Sequence, residues 1–262
     1  MRLPRGAALA WAIGLVLALL AFGPHVVDWG TVVLGADDVD TWGTQWFYWV
    51  IGRRLLDGEP FAHTQLLFHP WGKDVYLHTG GNVFDAVLAL PPRYLFGPLL
   101  GYNVFVVLVL MINGAGAVRL ARAWGAGPAA SMLTGALFAF NPYSLVEIAG
   151  GRPTQALLVF PCLFFASWAR VLRRGRVAGG VVAGLWLALT GLTYWFYAIF
   201  AGFAAAVTVI PGLRRRGPAG LTAPLVAASV ALLLAFPLAW PMLDALSGAA
   251  VPGLLDVHSW GF

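Results

Sequence analysis

Asp37, Asp38 and Asp40 place three carboxylates within four positions of the stretch LGADDVDTWGTQWFYW. Carboxylates so close can divide a chemical task. One acts as a general base, while its neighbour orients it or holds a metal. A base must reach the proton it removes and needs a matched pKa. The same residues also suit a purely structural role. A helix is predicted over Thr41 to Leu56, and carboxylates cap helix N-termini and complement the dipole there. Both readings stay open at this point.

Two further groups of residues carry chemistry. In EIAGGRPTQ, Glu147 and Arg152 flank Gly150-Gly151. A guanidinium fork there suits phosphate recognition, although a plain Glu–Arg pair or a charged loop border reads equally well. In LLFHPWGKDVYLHTGGN, His69 and His78 share a segment with Lys73, the one lysine of the chain, and with the turn signal Pro70-Trp71-Gly72. With His63 they fit no compact zinc spacing. A solvated turn is the plain reading; contact with a phosphate, a sugar or an anionic headgroup is the chemical one.

The elements that must position these groups are apolar. Of 262 residues, 60% are hydrophobic and 10% charged, against about 25% charged in a soluble domain. Several runs approach the roughly 20 residues a spanning helix needs. A polytopic membrane protein is therefore expected, and its net charge of +5 is read as orientation rather than nucleic-acid binding. Cys162 stands alone, so an intrachain disulfide is impossible. Arg2 and Arg5 precede an apolar run from Ala7 to Phe22. A signal peptide has that form too, but the later spans favour an uncleaved first helix.

Further spans are predicted at Tyr102–Leu120, Pro128–Val146, Ala156–Val171, Val177–Leu192, Tyr194–Ile210 and Leu221–Leu243. Val83–Phe96 is apolar but short, carries Asp85 and Arg93, and is expected to be broken at Pro91-Pro92. Charge decides its placement. If it lies along the surface, the clusters Arg2/Arg5, Arg119/Arg122, Arg170/Arg173/Arg174/Arg176 and Arg214/Arg215/Arg216 share one side. The positive-inside tendency selects that arrangement. An all-α bundle of about seven spans follows, with a cytoplasmic N-terminus. A long outer loop, about residues 28–101, bears interfacial helices. Trp42, Trp46 and Trp49 form a stripe on the predicted helix, suited to headgroup depth. Asn113-Gly114-Ala115-Gly116 reads as a close helix contact. The spans carry almost no ionisable residues, which speaks against a coupled transporter.

This layout, with GADDVDTWGTQWFYW, LLFHPWGKDVYLHTGGN, ALPPRYLFGPLLGYN, GAVRLARAWGAG, FAFNPYSLVEIAGGRPTQ and LTYWFY in order, resembles the GT-C integral-membrane glycosyltransferases. These include protein mannosyltransferases, oligosaccharyltransferases and related bacterial inner-membrane proteins. The resemblance is one of pattern along the whole chain. It implies a single module over 1–262, the front part of a longer protein in the plasma (inner) membrane. It also implies transfer of a sugar from a polyprenyl-phosphate donor to an extracytoplasmic acceptor. The family's essential Asp follows the first span, which matches Asp37 or Asp38 and less well Asp40. Substrate contacts are expected from Glu147, Arg152, His69, Lys73 and His78. Some members need a divalent cation, for which Asp37 and Asp38 are the candidate ligands; hard oxygens favour magnesium or manganese over zinc. The expected partners are that donor and membrane lipid. A non-catalytic lipid-binding or accessory protein of the same fold is the alternative. The chain departs from the pattern by lacking the variable C-terminal half, and by having Glu147 and Arg152 where some relatives carry other residues.

Overall fold

A computed structural model describes residues 28–59, 63–75 and 83–248, together with 12, 14–16 and 23. The predicted first span, the Arg2/Arg5 cluster, His78 and residues 249–262 lie outside the described residues, apart from those few positions in the span.

The described chain is almost wholly helical. Helix α1 is Val39–Asp57, and a two-residue antiparallel ladder joins β1 (His63–Thr64) to β2 (Lys73–Asp74). Then follow α2 (Phe84–Phe96), α3 (Pro98–Ala123), α4 (Pro128–Ala139), α5 (Pro142–Ala149), α6 (Pro153–Ala156) and α7 (Val159–Arg174). The last three are α8 (Val177–Thr193), α9 (Trp195–Arg216) and α10 (Thr222–Gly248). Pro98–Ala123, Pro153–Arg174 and Gly217–Pro241 are long and apolar enough to cross a membrane, and Val177–Thr193 and Trp195–Pro211 are shorter apolar helices. Leu232, Leu233, Phe236 and Trp240 stand exposed along α10, an apolar surface of the kind a bilayer covers.

Two expectations change. The run Pro128–Val146 is not one helix. Asn141 closes α4 and starts α5, its side chain accepting a hydrogen bond from the Ser144 amide at 2.9 Å with Pro142 at the first helical position. The residue before proline resists helical geometry and Asn is a good N-cap, so the helix restarts here although the sequence stays apolar. Residues 128–139 rise only about 18 Å. Conversely, Pro91-Pro92 does not break its segment, because α2 runs through both prolines.

The helix ends sort by charge. Arg173 Nη2 donates to the carbonyl of Ala123 at 2.6 Å, joining the basic ends of α3 and α7. At the other end, Thr154 donates to the Thr193 carbonyl and Tyr197 to the Gln155 carbonyl, both at 2.8 Å. The N-terminal turn of α1, which carries Asp40, meets the bundle at that second end.

Close packing uses small residues. Gly114 of α3 faces Gly135 of α4, where a Cβ would stand 2.5 Å from Val118 Cγ2. Gly116 lies on the other flank, against Val159 and Cys162 of α7. With little hydrophobic drive between helices in lipid, such close approach supplies the dispersion contact.

Candidate functional site

The site is built where the segment before α1 meets the segment between α5 and α6. The approach is fixed from α3. Asn103, fully buried, accepts from the Leu34 amide at 2.8 Å and donates to the carbonyls of Trp29 and Val32 at 2.9 and 2.7 Å. One side-chain amide thus satisfies three backbone groups of an irregular strand, which has no helix of its own to satisfy them. The opposite segment is held from the same helix, ten residues further on. Asn113 donates to the Ala156 carbonyl and accepts from the Leu158 amide, at 2.7 and 2.8 Å, across the break between α6 and α7.

The two segments lock together directly. The Ala36 amide donates to the Ala149 carbonyl at 2.5 Å, and Thr44 Oγ1 donates to the Gly151 carbonyl at 2.7 Å. Gly151 has φ of +67°, and a Cβ there would stand 2.6 Å from Thr41 N and nearer still to Thr41 Cα. Only glycine combines that left-handed conformation with so close a backbone approach.

The three carboxylates divide their work. Asp38 Oδ1 accepts from the Thr41 amide at 3.0 Å and is the N-cap of α1. Asp37 Oδ1 accepts from Trp42 Nε1 at 2.7 Å. Asp40, in the first turn, accepts from Arg152 Nη1 at 2.9 Å. Arg152 Nε donates to Glu147 Oε2 at 2.6 Å, so one guanidinium spans both segments. The bond to Glu147, followed by that to Asp40, pushes the Arg152 pKa above its already high value. Counted over Asp37, Asp38, Asp40, Glu147 and Arg152, four negative charges meet one positive. Such a surface attracts cations and repels a bare phosphate.

Whether a divalent cation fits is a question of donors. Among the described residues, no three His, Cys, Asp or Glu side chains converge on one point. Asp37 and Asp38 each spend one oxygen on a local bond, leaving the Oδ2 atoms out of those bonds. Magnesium commonly takes one or two carboxylates, with substrate phosphate and water completing its shell. In donor type and number the pair suits that mode, and the described residues form no all-protein cage.

His69 and Lys73 lie elsewhere. Lys73 Nζ sits over the Phe68 ring at 5.1 Å, within the small hairpin. Among the described residues, no hydrogen bond or ion pair joins either side chain to the acidic cluster. The tryptophan stripe of α1 splits, with Trp42 and Trp49 exposed and Trp46 half-buried. The opposite face carries Phe47, Tyr48, Val50 and Ile51 into the core with α2 and α3.

Sequence reasoning did not single out Asn103, Asn113, Tyr48 or Tyr102 for the site. The signal for the two asparagines was present, since a polar side chain in an apolar span needs a partner. Between α1 and α2 there is also a cleft of about 420 Å³ lined by Trp49, Arg53, Leu56, Leu90, Arg93 and Tyr94 among others. No protein-family model matches the chain, and neither a curated protein nor a solved structure matches it.

Proposed function

We propose that the chain is a GT-C-like membrane glycosyltransferase module, moving a sugar from a polyprenyl-phosphate donor to an acceptor outside the cytoplasm. The observation that carries this reading is the Asp40–Arg152–Glu147 bridge. It brings the acidic segment expected to hold the family's essential Asp against the second outer segment. In this reading Asp37 or Asp38 takes the proton of the acceptor hydroxyl, or holds a cation that offsets the donor's charge. The acceptor oxygen attacks the anomeric carbon, and polyprenyl phosphate leaves with the bonding electrons. About seven spans, a cytoplasmic N-terminus and an outer site belong to the same proposal. The gathering of Arg173 and the α3 terminus at one end supports it, and so does the separation of that end from the acidic cluster.

One observation favours the second reading, a non-catalytic lipid-binding or accessory protein of this fold. Arg152 is already engaged by two carboxylates, which offset its charge and leave no net positive charge there for a donor phosphate. The test is Asp37→Asn, Asp38→Asn and Asp40→Asn in the native host, with cell-surface glycans profiled. Transfer requires one glycan class to vanish in Asp37→Asn or Asp38→Asn while the protein still accumulates in the membrane. Folded variants with every glycan unchanged would refute catalysis and leave the accessory role.

A further inference from the structure

Asp85 lies outside the acidic cluster, on the first turn of α2, and only 3% of its surface is exposed. Its Oδ2 accepts from the Tyr48 hydroxyl at 2.7 Å. Among the described residues its Oδ1 has no well-formed hydrogen bond, although the Ala86 amide and the Thr154 hydroxyl stand close to the carboxyl, and Tyr102 Oη and Gln45 Nε2, two other buried polar atoms of this core, have no partner there. These groups surround one ring. Tyr102 is 6.3 Å from Tyr48 between ring centroids, and the Arg93 guanidinium carbon is 5.7 Å from the Tyr48 centroid. Arg93 Nη1 in turn donates to Gln45 Oε1 at 2.5 Å. The set therefore holds an orphan acceptor, an orphan amide donor and a hydroxyl that can serve as either.

Leaving three such atoms dry costs about 1–3 kcal/mol each. Folded proteins satisfy groups like these with internal water that makes two to four hydrogen bonds. A carboxyl among them is also the natural resting place for a proton, because burial disfavours its charge. Here burial pushes the Asp85 carboxyl up to about 7, against the lowering effect of hydrogen bonds from Tyr48, from the backbone of Ala86 and Asp85, and from Thr154. Burial likewise holds the Tyr48 phenol well above its ordinary range, with the Asp85 charge adding to this. The other groups facing Asp85 are Arg93 on its own helix, Tyr102 from α3 and Thr154 from α6. Helix α8 brings apolar Trp186 and Leu189 to this core. Tyr102 feels the charge of both Asp85 and Asp38.

We infer that the core between α1, α2 and α3 holds a hydrated proton-binding site, in which water bridges Asp85 Oδ1, Tyr102 Oη and Gln45 Nε2 and Asp85 takes up and returns a proton. The site rests on the glycosyltransferase reading only for its use. In that reading the proton lost by the acceptor hydroxyl passes from the Asp37–Asp38 base to the bridging water. That water gives one of its own protons to ionised Asp85, which later releases it outward. No other bond changes.

The experiment is infrared difference spectroscopy of the full chain in lipid nanodiscs, titrated across neutrality in H₂O and D₂O. The wild type is expected to show a protonated-carboxyl band that fades as pH rises through neutrality, shifts in D₂O and is missing in Asp85→Asn. Tyr102→Phe, which keeps the ring, should displace the midpoint and slow the D₂O shift. Should Asp85→Asn fail to fold, Asp85→Glu carries the assignment, since a longer acid must move the band. A carboxyl band that ignores both pH and D₂O, or none that depends on residue 85, overturns the inference. Transfer activity judges the other reading separately. A titrating, exchanging Asp85 without transfer sinks the glycosyltransferase and keeps the proton site; a dry Asp85 with transfer intact does the reverse.

Discussion

The two arms of the Arg152 bridge differ in environment, and that difference predicts unequal energies. Toward Glu147 the contact is 2.6 Å and the carboxylate side chain is 11% exposed; toward Asp40 it is 2.9 Å and 49% exposed. A pair near 4 Å gains about 4 kcal/mol of Coulomb energy at an effective dielectric of 20, and about 1 kcal/mol in bulk water. Desolvation of the sheltered Glu147 returns part of the first figure. Exposed pairs measure about 0.2–1 kcal/mol. A coupling of about 2 kcal/mol is therefore expected for Glu147–Arg152 and under about 1 kcal/mol for Asp40–Arg152. The assay is a pair of double-mutant cycles, Glu147→Gln with Arg152→Gln and Asp40→Asn with Arg152→Gln. Unfolding would be followed in mixed micelles at low and high salt. Salt should erase the Asp40 coupling and spare most of the other, because a sheltered pair is screened less. An Asp40 coupling as large as that of Glu147, or equal loss of both in salt, would refute the reasoning.

Three other outcomes follow from the geometry. Gly151→Ala should cost about 1–2 kcal/mol for the left-handed backbone alone; the added clash with Thr41 should part the two segments, seen as faster proteolysis near residue 151. Asn103→Ala orphans the Leu34 amide and two carbonyls, so a loss of about 2–4 kcal/mol is expected by the same unfolding assay. Asp85 sets a pH dependence whose sign is fixed: its folded pKa of about 7 lies above the ordinary carboxyl value of about 3.9. Its contribution is thus fully present below about pH 4 and is lost as pH rises through about 7, a swing on the order of 4 kcal/mol. Thermal unfolding of Asp85→Asn should show a flatter profile over that window, and a slope identical to wild type would count against a buried acid.

The helical character was legible, and so was the placing of the Asp cluster and the Glu147–Arg152 segment on one side, because each rests on local signals. Apolar runs mark helices, and the alternation of basic and acidic ends places Asp37–Asp40 and Glu147–Arg152 on the same side. Which Asp meets Arg152 was not legible. It depends on the phase of α1: Asp38 faces its own helix as cap, and Asp40 points across. The division of Pro128–Val146 was written in Asn141-Pro142, but a continuous apolar composition outweighed a cap signal. Pro91-Pro92 misled in the other direction, because packing of α2 on α1 and α3 sustains a helix that propensity would end. The Tyr48–Asp85 pair links residues 37 apart in sequence, a separation at which only the assembled fold brings them together.

Asn103 and Asn113 give α3 the character of a gauge. One amide grips the strand that leads into the acidic cluster, and the other grips the break that follows Arg152. Ten residues of helix set these grips about 15 Å apart in height and roughly 80° apart around the axis. The bridge between Asp40 and Arg152 thus depends on a count of residues in a helix that supplies none of the bridge's own atoms. Inserting a single alanine between the two asparagines would leave the span just as apolar. It would nonetheless turn one grip by about 100° relative to the other and take the two gripped segments out of register.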